Sequence, residues 1–133
     1  MPEIRYHANT HYKYELLDEY TIATPLRGYV VDTQFLRLRA DGVLIMHSGY
    51  RWDGASGPAI DTDTFMRGSL VHDALYQLIR LGRVSLDERP AADRLLYDIV
   101  REDGMWSIRA AWVYAGVRLF GGFYLGRIKP YDQ

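Results

Sequence analysis

The chain has 133 residues, 48% of them hydrophobic, which is enough to bury one core and too few for two ordinary domains. Sixteen Lys and Arg residues stand against 17 Asp and Glu residues, and the formal net charge of -1 leaves no broad basic field for a nucleic-acid backbone. The absence of cysteine excludes disulfides, thiolate metal sites and thiol nucleophiles. The sequence therefore predicts one domain over residues 1–133 and no nucleic-acid partner.

The N-terminal residues lack the basic region and the apolar run of a signal peptide. No stretch approaches the roughly 18 consecutive apolar residues of a membrane-spanning helix. Because a cysteine-free chain suits a reducing compartment, we expect a cytoplasmic or virion-associated protein without a signal peptide or a transmembrane segment.

The first third of the chain, residues 1–48, has the pattern of β-structure. From Lys13 to Met46 the apolar residues alternate with polar ones and are often β-branched or aromatic, which predicts short strands around residues 30–31, 35–39 and 43–46. The dipeptide Asp41-Gly42 between the last two strands favours a tight hairpin whose central residues have positive φ. A small antiparallel sheet is therefore expected in this part.

Residues 49–63 are rich in glycine and aspartate and predict a structured loop. Beyond it, residues 64–122 show a helical period, with Gly82 and Gly104 ending the first two helices and Gly121-Gly122 ending the third. The period also assigns four aromatic residues of the third helix to the core: Trp106, Trp112, Tyr114 and Phe120. Together with a tail at residues 123–133, this predicts an α+β fold, a small sheet followed by three helices.

Two four-residue steps carry the candidate chemistry. His72 and Tyr76 share one face of the first predicted helix, and Asp93 and Tyr97 repeat the step on the second. If the two helices run antiparallel, His72 faces Asp93, and a histidine held by a carboxylate on one nitrogen presents the other as a general base. We therefore predict a hydrogen bond between His72 and Asp93, with Tyr76 or Tyr97 bonded to the same carboxylate.

The glycine and aspartate loop supplies candidate metal ligands. Asp53 offers a carboxylate and Gly54 an accessible carbonyl, which are the oxygen ligands that calcium prefers. With Asp73 added, a hard cation beside His72 would polarise a carbonyl that histidine-activated water attacks. This combination predicts metal-assisted ester hydrolysis with calcium as the cofactor.

Three segments resemble the core of the bacterial secreted phospholipase A2 family: residues 71–76 (VHDALY), 92–97 (ADRLLY) and 111–121 (AWVYAGVRLFG). The resemblance covers roughly half of the chain, and the interval from His72 to Asp93 (93 - 72 = 21 residues) is similar to that of the bacterial enzymes. It implies a three-helix phospholipase A2-like core and a calcium-dependent lipid ester hydrolase acting on phospholipid or a membrane surface. The disulfides of the secreted enzymes are absent here, and a sheet replaces their leading helices.

Residue by residue, the phospholipase resemblance implies a role for each matching position. His72 would be the base for water and Asp93 its orienting partner, buttressed by hydrogen bonds from Tyr76 and Tyr97. The calcium ligands would be Asp73, Asp53 and the carbonyl of Gly54, although the interval from this loop to the histidine is shorter than in the family.

A second and closer resemblance joins the loop at residues 49–56 (GYRWDGAS) to the His-Asp-x-Leu-Tyr helix. This pair of motifs resembles a family of phage and bacterial domains of unassigned function. The alternative to a hydrolase is therefore a non-catalytic phage accessory or virion component that uses the same surface to bind a phage or host protein.

Other candidates lead to fewer expectations. A metal-dependent phosphohydrolase would need further histidines, and none follows His72. His7 and His11, near the N-terminus, are expected to be solvated. Trp52 either plugs the core or flanks a pocket, and the tail at residues 123–133 either packs on the protein or contacts a membrane or a partner subunit.

Overall fold

The computed structural model describes residues 4–8, 14–52 and 63–125. The chain divides into two compact units, a β unit over Pro2–Asp53 and a helical unit over Gly54–Asp132. In the described ranges, antiparallel sheets precede three α-helices, which confirms the predicted α+β class. None of the helices within these ranges is long and apolar enough to cross a membrane.

The β unit contains two antiparallel sheets where the sequence predicted one. The first has the order β1 (Tyr6–Ala8), β2 (Tyr14–Leu16) and β7 (Arg51–Trp52). The second has the order β3 (Tyr20–Ala23), β6 (Val43–Met46), β5 (Leu36–Leu38) and β4 (Val31–Asp32). Gly49, with a φ of +94°, lies between β6 and β7, so the chain leaves one sheet and enters the other within the predicted loop.

Strict alternation builds the interior of the four-stranded sheet. Leu36 pairs with Met46 and Leu38 with Leu44, and all four side chains are buried. Arg37 between them is exposed, because successive side chains of a strand point to opposite faces. The sheet therefore has the alternation of buried and exposed side chains that the sequence predicted.

The predicted hairpin at Asp41-Gly42 exists, but its loop has three residues. The amide of Gly42 donates to the carbonyl of Arg39, which closes a turn, and Gly42 alone takes a positive φ, +94°. The expectation of positive φ at both central residues was therefore wrong, since this is the three-residue hairpin with glycine in its last position. The Asp41 carboxylate accepts the amide of Val43, and that hydrogen bond lowers the pKa of Asp41.

The helical unit contains α1 (Asp63–Arg80), a short 3-10 turn (Leu86–Glu88), α2 (Arg89–Glu102) and α3 (Ser107–Leu125). Gly82 and Gly104 follow the first two helices with φ of +73° and +101°. In each case the next residue donates back to a carbonyl five residues earlier, Arg83 to Leu78 and Met105 to Val100. These are the glycine caps that the sequence predicted.

The prediction for the third helix was wrong in two respects. α3 continues through Gly121-Gly122 to Leu125, because Gly121 serves close packing there rather than termination. Three of the four aromatic residues predicted to lie in the core are exposed, namely Trp112 and Phe120 on α3 and Trp106 just before it. The helix is apolar on nearly every side, so a helical period cannot tell which side is buried.

Candidate functional site

The backbone of α1 and α2 approaches closely beside the candidate site. A Cβ added at Gly68 would lie 2.8 Å from side-chain atoms of both Leu96 and Val100, so a glycine at this point of α1 lets the two helices touch. The contacts also run in opposite order along the helices: Arg67 with Asp103, Gly68 with Leu96 and Val100, His72 with Asp93, and Tyr76 with Arg89. The predicted antiparallel arrangement is therefore confirmed.

A buried ion pair fixes the register of these helices at one end. Arg67 is buried and contacts both carboxylate oxygens of Asp103, at 3.0 Å from Nε to Oδ2 and 2.9 Å from Nη2 to Oδ1. Its Nη2 atom also lies 3.0 Å from Glu102. A two-pronged pair of this kind constrains direction as well as distance, which holds α2 in the position that brings Asp93 opposite His72.

Asp93 is the centre of the site and is fully buried, with an exposure of 0%. Its Oδ1 atom accepts a hydrogen bond from Nε2 of His72 at 2.7 Å and one from the Tyr76 hydroxyl at 2.5 Å. Its Oδ2 atom accepts one from Nη1 of Arg118 at 2.8 Å. The predicted contact of His72 with Asp93 is thus confirmed, and residues of all three helices meet at one carboxylate.

Arg89 forms a second layer around this carboxylate. Its Nε atom donates to the Tyr76 hydroxyl at 3.0 Å and lies 3.8 Å from Oδ2 of Asp93. Its Nη2 atom donates to the carbonyls of Val117 and Arg118 in α3, both at 2.8 Å. The guanidinium group therefore joins the start of α2 to the backbone of α3.

Glycine at position 121 makes room for this second layer. A Cβ at Gly121 would lie 2.5 Å from the Tyr76 hydroxyl and 3.2 Å from Nη2 of Arg89. Any larger side chain would displace one of the two groups that hold Asp93. The glycine that the sequence suggested as a helix end is in fact part of the wall of the site.

The electrostatics of the site keep Asp93 ionised. Burial by itself would raise the pKa of Asp93, but the hydrogen bonds from His72 and Tyr76, with the contribution of Arg118, hold it below its ordinary value. Burial and the hydrogen bond to Asp93 raise the pKa of Tyr76, so its hydroxyl stays protonated and donates. At neutral pH the site therefore contains a carboxylate that accepts from all of its neighbours.

This arrangement fixes the tautomer of His72. An ionised carboxylate accepts hydrogen bonds and donates none, so Nε2 of a neutral His72 must carry the proton. Nδ1 is then the nitrogen with a lone pair. A histidine ordered in this way can take a proton from water or from a hydroxyl group, which is the chemistry of a general base.

Tyr97 does not have the predicted place beside Asp93. Its ring packs edge-on against Tyr114, with centroids 5.9 Å apart, and Arg94 lies 5.0 Å from the ring centre. Within the described residues no hydrogen bond joins Tyr97 to Asp93. The physical reason is that apolar packing holds the Tyr97 ring elsewhere, against Tyr114 of α3 and against the buried cluster that contains Leu96 and Ala110.

Trp52 is a core residue rather than the wall of a pocket. It lies on β7 with an exposure of 1%. Its ring centre lies 5.8 Å from that of Tyr6, 5.5 Å from that of Tyr14 and 6.5 Å from that of Tyr50. Tyr50 and Trp52 are buried and Tyr6 and Tyr14 are half-buried, so Trp52 has the first of the two roles expected from the sequence, a ring that plugs the core.

The predicted metal ligands are only partly described. Asp73 lies on α1 and is partly buried, while Asp53 and Gly54 fall outside the described residues. Across residues 4–8, 14–52 and 63–125, no three His, Asp or Glu side chains form a group that could hold a metal ion. Asp73 is therefore the one proposed ligand with a known place, and the calcium site stays a prediction.

Sequence reasoning missed both arginines of the site. Arg89 precedes Asp93 by four residues, and this spacing puts a cation and a carboxylate on one face of a helix. Arg118 is a charged residue within the long apolar run of α3, and a cation in such a place needs a partner in the interior. Both signals were present in the sequence, but neither identifies the partner.

Comparison with known proteins gives one match. No curated protein and no solved structure matches the chain. A family described as a protein of unknown function matches residues 29–117, a range that includes His72, Tyr76, Arg89 and Asp93. The chain belongs to this family, DUF1353.

Proposed function

We propose that the protein is a lipid ester hydrolase, similar in its chemistry to phospholipase A2, in which His72 activates water. The observation that carries the proposal is the 2.7 Å hydrogen bond between Nε2 of His72 and Oδ1 of the buried Asp93. Because Nε2 donates to the carboxylate, Nδ1 is the atom that would remove a proton from the attacking water. The resemblance of the three helical segments supplies the substrate class, a phospholipid ester.

In this proposal three residues act through Asp93 rather than on the substrate. Tyr76 and Arg118 hold its carboxylate by direct hydrogen bonds, and Arg89 holds Tyr76. They keep the acceptor of the histidine proton in place while His72 gains and loses a proton at Nδ1.

In this proposal calcium would be bound by Asp73, with Asp53 and the carbonyl of Gly54 as further ligands. A hard cation bound there would polarise the ester carbonyl and stabilise the negative charge that develops on its oxygen. The part of His72 is separate from that of the ion, because the histidine handles the proton of the water.

The test is the release of fatty acid from a short-chain phosphatidylcholine by the purified protein, followed by titration of the acid. We expect release with millimolar calcium and much less with a chelator or with magnesium. Asp73→Asn should remove the calcium dependence, whereas Asp98→Asn, a change of an exposed carboxylate on α2, should leave it intact. No release by the wild type above a heat-denatured sample would overturn the proposal.

A second candidate is a non-catalytic role as a phage accessory or virion component that binds a partner protein. The observation that favours it is that Asp93 of α2 accepts hydrogen bonds from two residues of α1 and one of α3 and so joins the three helices. A buried polar network of this kind also fixes how helices pack. In this case His72 variants would change the stability of the protein and its partner binding, with no esterase activity to lose.

A further inference from the structure

Two arginines of the helical unit share one carboxylate. Nη1 of Arg118 lies 2.8 Å from Oδ2 of Asp93, and Nε of Arg89 lies 3.8 Å from the same atom. In the described part of the chain, neither arginine forms an ion pair with another carboxylate. Two positive charges therefore face one negative charge, and the pair of arginines has one positive charge without a counter-charge.

Each guanidinium group also has N–H donors that the protein does not use. Nη2 of Arg89 donates to two carbonyls of α3 and Nε to the Tyr76 hydroxyl, which leaves Nη1. Arg118 donates through Nη1 alone, which leaves Nε and Nη2. Among the described side chains, the one fully buried N or O atom without a hydrogen-bond partner belongs to Gln77. The unused nitrogens of the two arginines therefore reach the surface of the protein.

The backbone of α3 brings these unused donors to one place. Arg118 and Gly122 are four residues apart, so they lie on the same side of the helix. A Cβ added at Gly122 would lie 3.6 Å from Nη1 of Arg89. The free end of the Arg89 guanidinium group is thus one helical turn from Arg118, beside an exposed glycine that has no side chain to cover it.

The burial and the shape of this pair indicate the chemistry of a ligand. The side chains of Arg89 and Arg118 are 19% and 33% exposed, so their surplus charge is screened less by water and salt than a charge on the open surface. Such a charge repels a metal ion and attracts an anion. Guanidinium groups bind oxyanions through paired hydrogen bonds, and a phosphate group has enough oxygen atoms to contact both arginines at once.

We infer that the surface-facing nitrogens of Arg89 and Arg118 form a binding site for a phosphate group. The inference goes beyond the proposed function, in which the opposite ends of the same side chains act through Asp93. It does not depend on ester hydrolysis. Free phosphate and the phosphodiester of a lipid head group present the same kind of oxygen atoms, and the experiment separates these two sources.

The experiment is thermal unfolding of the full chain in sodium phosphate, compared with sodium chloride at the same ionic strength. A ligand that binds the native state raises the melting temperature by mass action, and we expect a rise of about 5 °C at ten times the dissociation constant. Because phosphate also stabilises proteins by exclusion from their surface, variants are needed to show that the rise comes from this site.

The main variant fills the site with a carboxylate of the protein. Gly122→Asp places a negative charge beside Nη1 of Arg89, so it should remove the rise that is specific to phosphate. Gly116→Asp is the matched control, because it adds the same charge to the same helix at a position where a Cβ would have no atom within 4 Å. This control should keep the rise.

A second pair of variants tests Arg118. Arg118→Lys keeps a positive charge and a donor for Asp93 but loses the planar fork. It should weaken phosphate binding by about tenfold, the factor that corresponds to roughly one lost hydrogen bond between charged groups. Arg94→Gln, which removes an exposed arginine of α2, should bind phosphate as the wild type does.

Glycerophosphocholine, a phosphodiester without acyl chains, identifies the source of the phosphate group. An equal rise with this compound assigns a phosphodiester such as a lipid head group, and a rise with inorganic phosphate alone assigns a free phosphate. The inference is overturned if phosphate raises the melting temperature no more than chloride does, or equally in Gly122→Asp and Gly116→Asp. None of these melts measures ester hydrolysis, so failure of this inference is distinguishable from failure of the hydrolase.

Discussion

Replacing Asp93 by asparagine changes one atom at the point where the three helices meet. The side chain is fully buried, and its two oxygens accept hydrogen bonds from His72, Tyr76 and Arg118, with Arg89 3.8 Å away. An amide keeps the volume and one acceptor, but its nitrogen would face a donor. The change also removes the negative charge that these groups share.

The expected cost follows from the bonds that are lost. Hydrogen bonds to a charged group contribute about 1.5–3 kcal/mol each, and breaking a buried ion pair from one side costs about 3–5 kcal/mol. Because asparagine retains one acceptor, we expect a loss of about 3 kcal/mol in the free energy of unfolding. With a urea slope of about 1–3 kcal/mol per M for a small protein, the unfolding midpoint should fall by roughly 1 to 3 M.

The assay is urea unfolding followed by circular dichroism, with Asp98→Asn as the matched control. Asp98 lies on the same helix and pairs with Arg94, and both side chains are more than half exposed. Exposed pairs of this kind contribute about 0.5 kcal/mol or less. Equal midpoints for Asp93→Asn and Asp98→Asn would refute the view that a buried, charge-assisted network holds the three helices together.

Three further predictions concern the same network. In thermal melts, Gly121→Ala should destabilise the protein by about 1–3 kcal/mol, because the new Cβ would lie 2.5 Å from the Tyr76 hydroxyl. The control is Gly116→Ala, whose new Cβ would have no atom within 4 Å, and it should be neutral or stabilising. Folding lowers the pKa of Asp93, so this carboxylate contributes to the free energy of unfolding at pH values above its ordinary pKa of 3.8, and the contribution is lost as the pH falls below that value. In Asp93→Asn the free energy of unfolding should therefore fall less steeply at acid pH than in the wild type. An equally steep fall in the two proteins would contradict this. The pKa of Tyr76 is raised, so its contribution is present below the ordinary value of 10.0 and is lost as the pH rises above it, and Tyr76→Phe should remove that alkaline loss.

The part of the site that the sequence predicted rests on spacing along helices. His72 and Tyr76 lie one turn apart, and Gly82 ends their helix with enough chain to return, so a carboxylate at position 93 comes opposite the histidine. Local geometry of this kind is contained in the sequence itself. It also predicted the right face of Tyr76, whose hydroxyl meets the same oxygen of Asp93.

The rest of the site depends on packing between helices, which the spacing of residues along the chain does not predict. Tyr97 has the same four-residue relation to Asp93 as Tyr76 has to His72, yet it packs toward α3 because apolar partners lie there. Arg118 comes from a helix that is apolar on nearly every side, so no period shows that it points inward. Gly121 looked like a helix end, whereas its neighbours in space explain it.

The most direct test of the central proposal is the initial rate of fatty-acid release by His72→Gln relative to the wild type, on short-chain phosphatidylcholine with calcium. Loss of a general base should reduce the rate by about a hundredfold or more, while circular dichroism should show that the variant keeps its helices. Equal rates for the two folded proteins would contradict the assignment of His72 as the base, and with it the proposal that this protein is a hydrolase.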